Sequence, residues 1–280
     1  MTPGLYLVAT PIGNARDITL RTLDILASAD VLAAEDTRSL RRLMEIHGVP
    51  LGDRQVLAYH DHNGARMRPR LLAELAAGRS VAYASEAGTP MISDPGFDLV
   101  RGARDGGWPV TAAPGAAAVI TALTIAGLPT DRFLFAGFLP NAKGARRAGL
   151  KELAATPATL AFYESPKRLA AMLADAATIL GPDRPAAVCR ELTKKFEEVR
   201  SGTLAELAAE LADQPVKGEI VVLVGRGAAP EATADEVDAA LREALSTLSV
   251  RDAADQVSSA LGLSRRPIYQ RAMALRAEGD

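Results

Sequence analysis

The sequence contains a single cysteine, Cys189, and three histidines among its 280 residues. One cysteine cannot form an intrachain disulfide, and it excludes a structural zinc site built from thiolates. His60 and His62 are close in sequence and suggest a metal site, but the only other histidine is His47. Because no third cluster of His or Cys exists, we interpret residues 60–63 as a polar loop and expect no bound metal.

Long apolar runs and an excess of one charge are also lacking. No stretch approaches the roughly 18–20 apolar residues that span a bilayer, so no membrane association is expected. The first four residues do not show the basic and then apolar pattern of a secretory signal, and we expect a cytoplasmic protein. The 32 Lys and Arg residues are balanced by 34 Asp and Glu residues, which excludes a uniformly basic nucleic-acid-binding protein but not a local basic patch.

What the sequence does contain is typical of a globular protein. Hydrophobic residues make up 48% of the chain and charged residues 24%, which excludes disordered and collagenous classes. The length predicts two domains or one large domain with a substantial core.

Short apolar runs alternate with helical segments through the first 115 residues. The predicted strands are residues 5–9, 31–34, 81–84 and 110–112, and the predicted helices are a segment after Asp17, a second that ends near Gly48, and residues 71–77 and 97–104. Asp17 is a candidate cap for the first of these helices. This alternation predicts βαβ units and a largely parallel sheet. Because ligands of such sheets bind at the carboxyl edge, the loops that follow the strands are the first candidates for a site.

The second half of the chain is richer in strands. Strands are predicted at 133–138, 159–163, 186–189 and 220–224, and helices at 116–127, 166–180 and 203–213, whereas residues 143–147 are assigned to a loop. This pattern indicates a second α/β domain with a mixed sheet. After a linker at 227–233, three helices are predicted at 235–246, 250–261 and 265–276. The predicted domains are therefore 1–115, 116–227 and a small C-terminal helical, helix-turn-helix-like domain at 234–280.

Two glycine-containing loops follow predicted strands, and each has two interpretations. Residues 10–14 lack the G-x-G-x-x-G pattern, and no P-loop pattern occurs anywhere, so NAD and ATP are not favoured. Gly13 either lets the backbone approach a ligand or permits a positive φ in a tight turn. Residues 85–90, followed by 93–96, either present backbone groups and carboxylates to a polar ligand or form two ordinary turns.

Charged segments in the second half and at the C-terminus are open to similar alternatives. Residues 164–168 and 190–195 either border a substrate or form solvated turns whose ion pairs contribute little. The last predicted helix carries Arg265, Arg266, Arg271 and Arg276 with Tyr269. These side chains suit phosphate contacts and stacking on an unpaired base, but they also suit a small bundle with solvated arginines.

The order of the motifs resembles the ribosomal RNA small subunit methyltransferase I family, within the tetrapyrrole-methylase superfamily. The motifs are LYLVATPIGN at 5–14, AEDTR at 34–38, HDHN at 60–63, AGTP at 87–90 with SDPG at 93–96, PG at 114–115, AGLP at 126–129, GFLP at 137–140, FYES at 162–165 and RELTK at 190–194. The resemblance covers about residues 4–226, and the final helical segment also looks like the C-terminal domain of that family.

The resemblance implies an enzyme that uses S-adenosylmethionine to methylate the ribose 2′-hydroxyl of a decoding-centre cytidine in 16S rRNA, with the rRNA of the small ribosomal subunit as the expected partner. It implies a tetrapyrrole-methylase-like architecture of two α/β domains, with the cofactor in the cleft between them, and a homodimer. This chain departs from the family at one motif, where Glu86 replaces the usual Asp. The charge is kept, but the carboxylate reaches one methylene further.

The resemblance also directs the choice of site residues. For the cofactor we expect contacts from three strand-end loops and the RELTK motif, namely Pro11, Gly13, Ser85, Glu86, Ala87, Gly88, Thr89, Gly115, Ala116, Ala117, Ala118 and Leu192. The expected catalytic residues are Glu191 and Glu86 as candidate bases, ahead of Asp61 or His62, and Lys194 as an oxyanion or phosphate contact. For RNA we expect contacts from Arg38, Lys143, Arg146, Arg147, Arg265, Arg266, Tyr269 and Arg271, with Arg21 extending the basic rim.

Two other functions remain open at this point. A methyltransferase of the same fold can act on a tetrapyrrole or on a protein, although the basic terminal helices argue against a small macrocycle. A non-enzymatic regulator that senses the cofactor and binds RNA is the third interpretation, and it predicts RNA binding without a methylated product.

Overall fold

The computed structural model describes residues 1–93, 96–227 and 233–279. The chain forms two compact units, Met1–Arg226 and Gly227–Asp280. Part of the predicted linker, residues 228–232, and the Asp94-Pro95 pair of the second turn motif lie outside the described residues. Within these ranges, no helix combines the length and apolar character needed to cross a bilayer.

The first sheet is fully parallel, as the alternating pattern predicts. Its strands are β1 (Gly4–Val8), β2 (Val31–Ala34), β3 (Val56–Ala58), β4 (Ser80–Ala84) and β5 (Val110–Ala113), in the order β3-β2-β4-β1-β5. Strand β3 was not predicted, because its three residues are too short an apolar run for a pattern to be recognised. All five strands end at one edge, where their loops meet.

The helices of this sheet are α1 (Leu20–Ser28), α2 (Thr37–Ile46), α3 (Gly64–Ala76) and α4 (Phe97–Asp105). The prediction that Asp17 caps the first helix is wrong, because Asp17 ends a short 3-10 helix and Thr19 accepts the N–H of Thr22 at 3.1 Å. The third helix begins at Gly64 and contains Pro69, so it starts earlier than the predicted residue 71.

The second sheet is mixed, as predicted. Its strands are β6 (Phe133–Phe138), β7 (Thr159–Glu164), β8 (Pro185–Arg190), β9 (Glu198–Thr203) and β10 (Ile220–Val224), in the order β6-β7-β10-β8-β9. Only β6 and β7 run parallel to each other, and the other neighbours are antiparallel. Strand β9 was not predicted because its charged residues hide the pattern; Glu198 there forms salt bridges of 2.9 Å with Arg190 and Arg200.

The helices of the second sheet are α5 (Ala118–Ile125), α6 (Lys143–Leu153), α7 (Leu169–Leu180) and α8 (Leu204–Glu210). The assignment of residues 143–147 to a loop is wrong, since they form the start of α6. Gly144 and Gly149 lower the helix propensity of this segment, but Leu150 is fully buried and fixes the helix on the sheet.

The C-terminal unit consists of α9 (Ala234–Leu245), α10 (Val250–Leu261) and α11 (Arg265–Gly279), close to the predicted helices. Ser249 caps α10 through the N–H of Asp252, and Gly262 ends it in the left-handed region at φ +65°. The three helices bury a common apolar core that includes Leu241 and Ala272.

An apolar cluster also joins the two sheets of the first unit. Ile12, from the loop after β1, packs with Val119 of α5, with Leu192 after β8 and with Val221 of β10. Burial of this cluster places the carboxyl edge of the first sheet against the second sheet, which creates the cleft described next.

Candidate active site

Three strand-end loops of the first sheet are joined to one another by hydrogen bonds. The N–H of Thr10 donates to the carbonyl of Gly88 at 2.9 Å, and the N–H of Gly88 donates to the carbonyl of Thr10 at 3.1 Å. Ser85 Oγ donates to the same Gly88 carbonyl at 2.7 Å, and Thr89 Oγ1 donates to the Ala116 carbonyl at 2.9 Å. The loops after β1, β4 and β5 therefore form one connected wall.

Gly88 lies at the centre of this wall and requires the absence of a side chain. Its φ is +82°, in the left-handed region that favours glycine. An added Cβ would also lie 3.3 Å from Ile12 Cγ2. Gly88 therefore contributes to the lining of the cleft without a side chain that would fill it.

Between this wall and the second sheet lies a cleft of about 450 Å³. Of the residues expected to bind a cofactor, the ones that line it are Glu86, Ala87, Gly88, Thr89, Ala117, Ala118 and Leu192. The other five, Pro11, Gly13, Ser85, Gly115 and Ala116, lie in the same loops but are not part of the lining. Ser85 and Ala116 support the wall through the hydrogen bonds given above.

Gly13 and Gly115 both lack a side chain because a neighbouring segment packs against them, which for Gly13 is neither of the two predicted alternatives. Gly13 does not have a positive φ, and an added Cβ would lie 2.5 Å from Lys194 Cγ and 2.7 Å from Thr193 Oγ1. A Cβ on Gly115 would lie 2.7 Å from that of Ala9. Both glycines therefore permit close packing behind the cleft surface.

The charged groups of the cleft are acidic. Glu35 and Glu86 line the side of the first sheet, and Glu164 and Glu219 line the side of the second sheet, whereas none of the described lining residues is Lys or Arg. The N–H of Glu86 donates to Glu35 Oε2 at 3.2 Å, and neither carboxylate forms a salt bridge within the described residues. This side of the cleft therefore favours cations and hydroxyl donors and disfavours phosphate.

Each of the two acidic groups on the opposite side has a cationic partner. Glu164, whose side chain is almost fully buried, accepts Arg168 Nη2 at 3.0 Å and the N–H of Ser165 at 2.7 Å. Glu219 Oε2 accepts Lys194 Nζ at 2.8 Å. The unpaired negative charge therefore lies with Glu35 and Glu86.

Glu191 does not line the cleft, and its carboxylate is already engaged. Its Oε1 accepts Lys194 Nζ at 2.9 Å and the N–H of Glu219 at 2.9 Å. The hydrogen bond from Lys194, followed by that from the Glu219 backbone, holds the pKa of Glu191 below its ordinary value. Glu191 has a φ of +50°, and Gly218 leaves the space that its carboxylate fills. These contacts fix the start of β10 against the loop after β8.

Several lining residues were not among the predicted site residues. They are Ile12, Glu35, Ile92, Ser93, Phe138, Tyr163, Glu164, Ser165, Pro166, Gly218, Glu219, Ile220 and Val221. Most of them lie in the sequence motifs named above, and those motifs were the signal that could have identified them as lining residues. Gly218 and Glu219 carry no such signal, because they reach the cleft only through the central position of β10 between β7 and β8.

The basic residues expected to contact RNA occupy different environments. Arg38 is exposed and lies near Glu86 of the cleft lining: its pKa is raised first by hydrogen bonding to Asp36 and also by the nearby charge of Glu86. Lys143 and Arg147 are at least partly accessible on α6. Arg146 instead is buried and pairs with Asp175 at 2.7 Å, so its expected position on a surface rim is wrong.

In the C-terminal unit, two of the predicted arginines have acidic partners. Arg265 pairs with Asp255, and Arg271 pairs with Asp238 through Nε at 2.6 Å. Arg266 and Tyr269 are exposed on α11, and their spacing of three residues places them on one face. Arg265 and Arg271 therefore stabilise the helical bundle, whereas the face of α11 that carries Arg266 and Tyr269 is exposed.

The histidine pair lies in a turn before α3, and the cysteine lies in β8. Asn63 Oδ1 accepts the N–H of His60 at 3.0 Å, and no group of three potential metal ligands is found among the described residues. Cys189 is buried, and burial raises the pKa of its thiol to about 11, so the thiolate is scarce at neutral pH.

Comparison with known proteins places this architecture in a family. Residues 4–208 match the family of tetrapyrrole (corrin/porphyrin) methylases, and residues 231–276 match the RsmI C-terminal HTH domain. A ribosomal RNA small subunit methyltransferase I from Mesorhizobium japonicum is 48% identical over 288 aligned positions, which cover 100% of this chain and 96% of that protein.

Solved structures support the fold. The methyltransferase CobJ matches with a TM-score of 0.62 at 20% identity, over 81% of this chain and 95% of its own. The uroporphyrin-III C-methyltransferase from Thermus thermophilus, solved with S-adenosylhomocysteine, matches with a TM-score of 0.55 at 21% identity, over 79% and 96%. Because the chain is 48% identical to such a relative over its full length, and because both family models match it in succession, the chain belongs to the ribosomal RNA small subunit methyltransferase I family.

Proposed function

We propose that this protein transfers a methyl group from S-adenosylmethionine to the ribose 2′-hydroxyl of a decoding-centre cytidine in 16S rRNA. The observation that carries the proposal is the acidic cleft at the carboxyl edge of the parallel sheet, in a chain of this family. A cytidine within an assembled small subunit and a homodimeric enzyme are parts of the same proposal, taken from the family resemblance.

The described lining fits the cofactor. Glu35 and Glu86 suit a sulfonium and an ammonium group, and their carboxylates accept hydrogen bonds from ribose hydroxyls. The small residues Gly88, Ala117 and Ala118 in the lining leave room for the nucleoside. When bound, S-adenosylmethionine supplies an electrophilic methyl group and leaves as a neutral thioether.

The residues of this chain then have to position and deprotonate the acceptor hydroxyl. A rigid wall that holds oxygen, carbon and sulfur in line can supply about 7–11 kcal/mol in the best models, and a positioned base can add about 10²–10⁴-fold. Of the predicted bases, we retain Glu86, because its carboxylate lines the cleft and has no salt bridge in the described part of the chain. Glu191 and Lys194 are proposed as positioning residues, since their charged groups bind each other and Glu219.

The charge of the cleft also determines how RNA enters. Phosphates are disfavoured beside Glu35 and Glu86, so we propose that the ribose and base of the target enter while the backbone stays at the mouth. Arg38 near Glu86, and Lys143 and Arg147 on α6, are retained as phosphate contacts. Arg266 and Tyr269 on α11 are proposed as further contacts, through charge and base stacking.

The decisive experiment measures methyl transfer from labelled S-adenosylmethionine to small ribosomal subunits, with mass spectrometry of the RNA. We expect a ribose-methylated cytidine, and we expect no product when that cytidine is replaced by 2′-deoxycytidine in a reconstituted subunit. Glu86→Gln should lower turnover by about 10²-fold or more, and Asp53→Asn, at an exposed position outside the cleft lining, is the matched control.

Three results would redirect the proposal. Methylation of a porphyrinoid or a protein, with no methylation of RNA, would support the alternative acceptors. Tight RNA binding without any methylated product would support the regulator. Full turnover by Glu86→Gln with an unchanged pH profile would remove Glu86 as the base and bring Asp61 or His62 forward.

A further inference from the structure

The loop between β8 and β9 exposes a large aromatic side chain although the loop itself is held by internal hydrogen bonds. The N–H of Lys194 donates to the Glu191 carbonyl at 3.0 Å, and the N–H of Thr193 donates to Glu197 Oε2 at 2.6 Å. At the tip of this loop, Phe196 is 63% exposed. A hydrogen-bonded loop that leaves a phenyl ring in water loses hydrophobic stabilisation, which is typical of a binding surface.

The surroundings of Phe196 indicate what kind of partner it meets. The ring borders a depression of about 400 Å³ that adjoins the acidic cleft, because Gly218 lines both. Lys195 Nζ lies 5.5 Å from the centre of the ring, and Lys217 is exposed on the rim. The depression therefore combines an aromatic face with flanking cations at the edge of the proposed active site.

The charges inside the depression make it less acidic than the cleft. Glu198 is neutralised by Arg190 and Arg200, each at 2.9 Å. Lys195 and Lys217 have no salt-bridge partner among the described residues, so they remain available to an anion. Phosphates that are disfavoured in the cleft are thus favoured a short distance away.

We propose that an unpaired nucleotide next to the methylated one binds here, with its base stacked on Phe196 and its phosphates beside Lys195 and Lys217. The inference rests on the proposed function, since it assumes that the cleft receives a ribose of an RNA strand. Unpaired bases in RNA are bound by stacking on aromatic side chains, and the cations hold the backbone. Continuity of the depression with the cleft sets the position of the flanking nucleotide.

The test compares RNA affinity in four proteins: wild type, Phe196→Ala, Phe196→Trp and Phe97→Ala. Phe97 is the matched control, because it is 64% exposed and has Arg101 Cζ at 5.5 Å from its ring. It borders neither the cleft nor the depression. The probe is a fluorescently labelled single-stranded oligoribonucleotide with the decoding-region sequence, measured by anisotropy in the presence of S-adenosylhomocysteine. A second probe lacks the bases that flank the target cytidine.

We expect Phe196→Ala to bind the first probe about tenfold more weakly, about 1.4 kcal/mol, and Phe196→Trp to restore binding. We expect Phe97→Ala to match the wild type and all four proteins to bind the base-free probe equally. Unchanged thermal unfolding and S-adenosylhomocysteine affinity would show that Phe196→Ala is folded.

Wild-type affinity in Phe196→Ala, or an equal loss in Phe97→Ala, would overturn the inference. The proposed function fails separately, if the wild type transfers no methyl group to RNA. A loss of RNA affinity in Phe196→Ala without methyl transfer by the wild type would retain the stacking site and refute the enzyme.

Discussion

A Cβ added to Gly13 would lie 2.5 Å from Lys194 Cγ, so the side chain of Lys194 packs directly against the backbone of Gly13. Gly13 follows β1 of the first sheet, and Lys194 follows β8 of the second. The contact is reinforced by the N–H of Asn14, which donates to Thr193 Oγ1 at 3.1 Å. The ammonium group of Lys194 donates to the carboxylates of Glu191 and Glu219. Lys194 therefore links the loop after β1 of the first sheet to the segment before β10 of the second sheet.

This packing predicts the effect of a single methyl group at Gly13. We expect Gly13→Ala to displace the loop after β8 and to weaken binding of S-adenosylmethionine by about tenfold, because Leu192 lines the cleft from that loop. Calorimetric titration measures the affinity. Gly144→Ala is the control: nothing lies within 4 Å of the added carbon, and in α6 the change should stabilise the protein by about 0.5–1 kcal/mol. Equal cofactor affinity in both variants would contradict the packing role.

The contacts of Glu191 predict different outcomes for two substitutions. Glu191→Gln keeps an oxygen that accepts from Lys194 and from the Glu219 backbone, so we expect turnover within about fivefold of wild type and the same pH profile. Glu191→Ala removes the acceptor and should lower turnover by more than tenfold. If Glu191 were the base, both variants would be equally inactive, and steady-state rates from pH 5 to 9 separate these cases.

Asp36 predicts a pH dependence of stability. Its side chain caps α2 by accepting the N–H groups of Arg38 at 2.7 Å and Ser39 at 3.3 Å, and hydrogen bonds from Arg38 lower its pKa to about 2. The folded pKa is below the unfolded value of about 3.9, so the ionised cap stabilises the protein above about pH 4. This contribution is lost as the pH falls toward 2.

We therefore expect Asp36→Ala to lower the free energy of unfolding by about 1 kcal/mol at pH 7, and we expect the difference from wild type to shrink below pH 4. Urea unfolding at pH 7, 5 and 3 measures it. A difference that stays constant over this range would show that the charge of Asp36 does not contribute.

The arginines of α11 predict two separable effects. Arg266 is exposed, so Arg266→Glu should weaken RNA binding and lower the slope of log affinity against log salt by about 1. Arg271 is hydrogen-bonded to Asp238, and the pKa of Asp238 is lowered mainly by this bond. Arg271→Glu should therefore destabilise the C-terminal bundle, as measured by thermal unfolding. An unchanged salt slope in Arg266→Glu would remove this face from the RNA site.

The strands and helices that were predicted correctly are those whose defining pattern lies within one short stretch of the sequence. The strands β1, β2 and β4 are continuous apolar runs followed by loops, and they were recognised because both sides of a parallel sheet are buried. The strands β3 and β9 were missed since one is very short and the other is stabilised by salt bridges with β8. The helix α6 was missed because burial of Leu150 outweighs its glycines. The predicted domain boundaries at 115 and 227 stay predictions.

From the sequence by itself follow the alternation of strands and helices, the parallel first sheet, the three terminal helices and the loop of residues 85–90, because each depends on residues close together in the chain. The tertiary structure alone decides that Glu191 binds Lys194 and Glu219, that Arg146 is buried against Asp175, and that Phe196 is exposed beside the cleft. These relationships arise where segments far apart in sequence pack together. The groups that surround a carboxylate or a guanidinium therefore decide whether it belongs to the active site, stabilises the fold or lies on the surface.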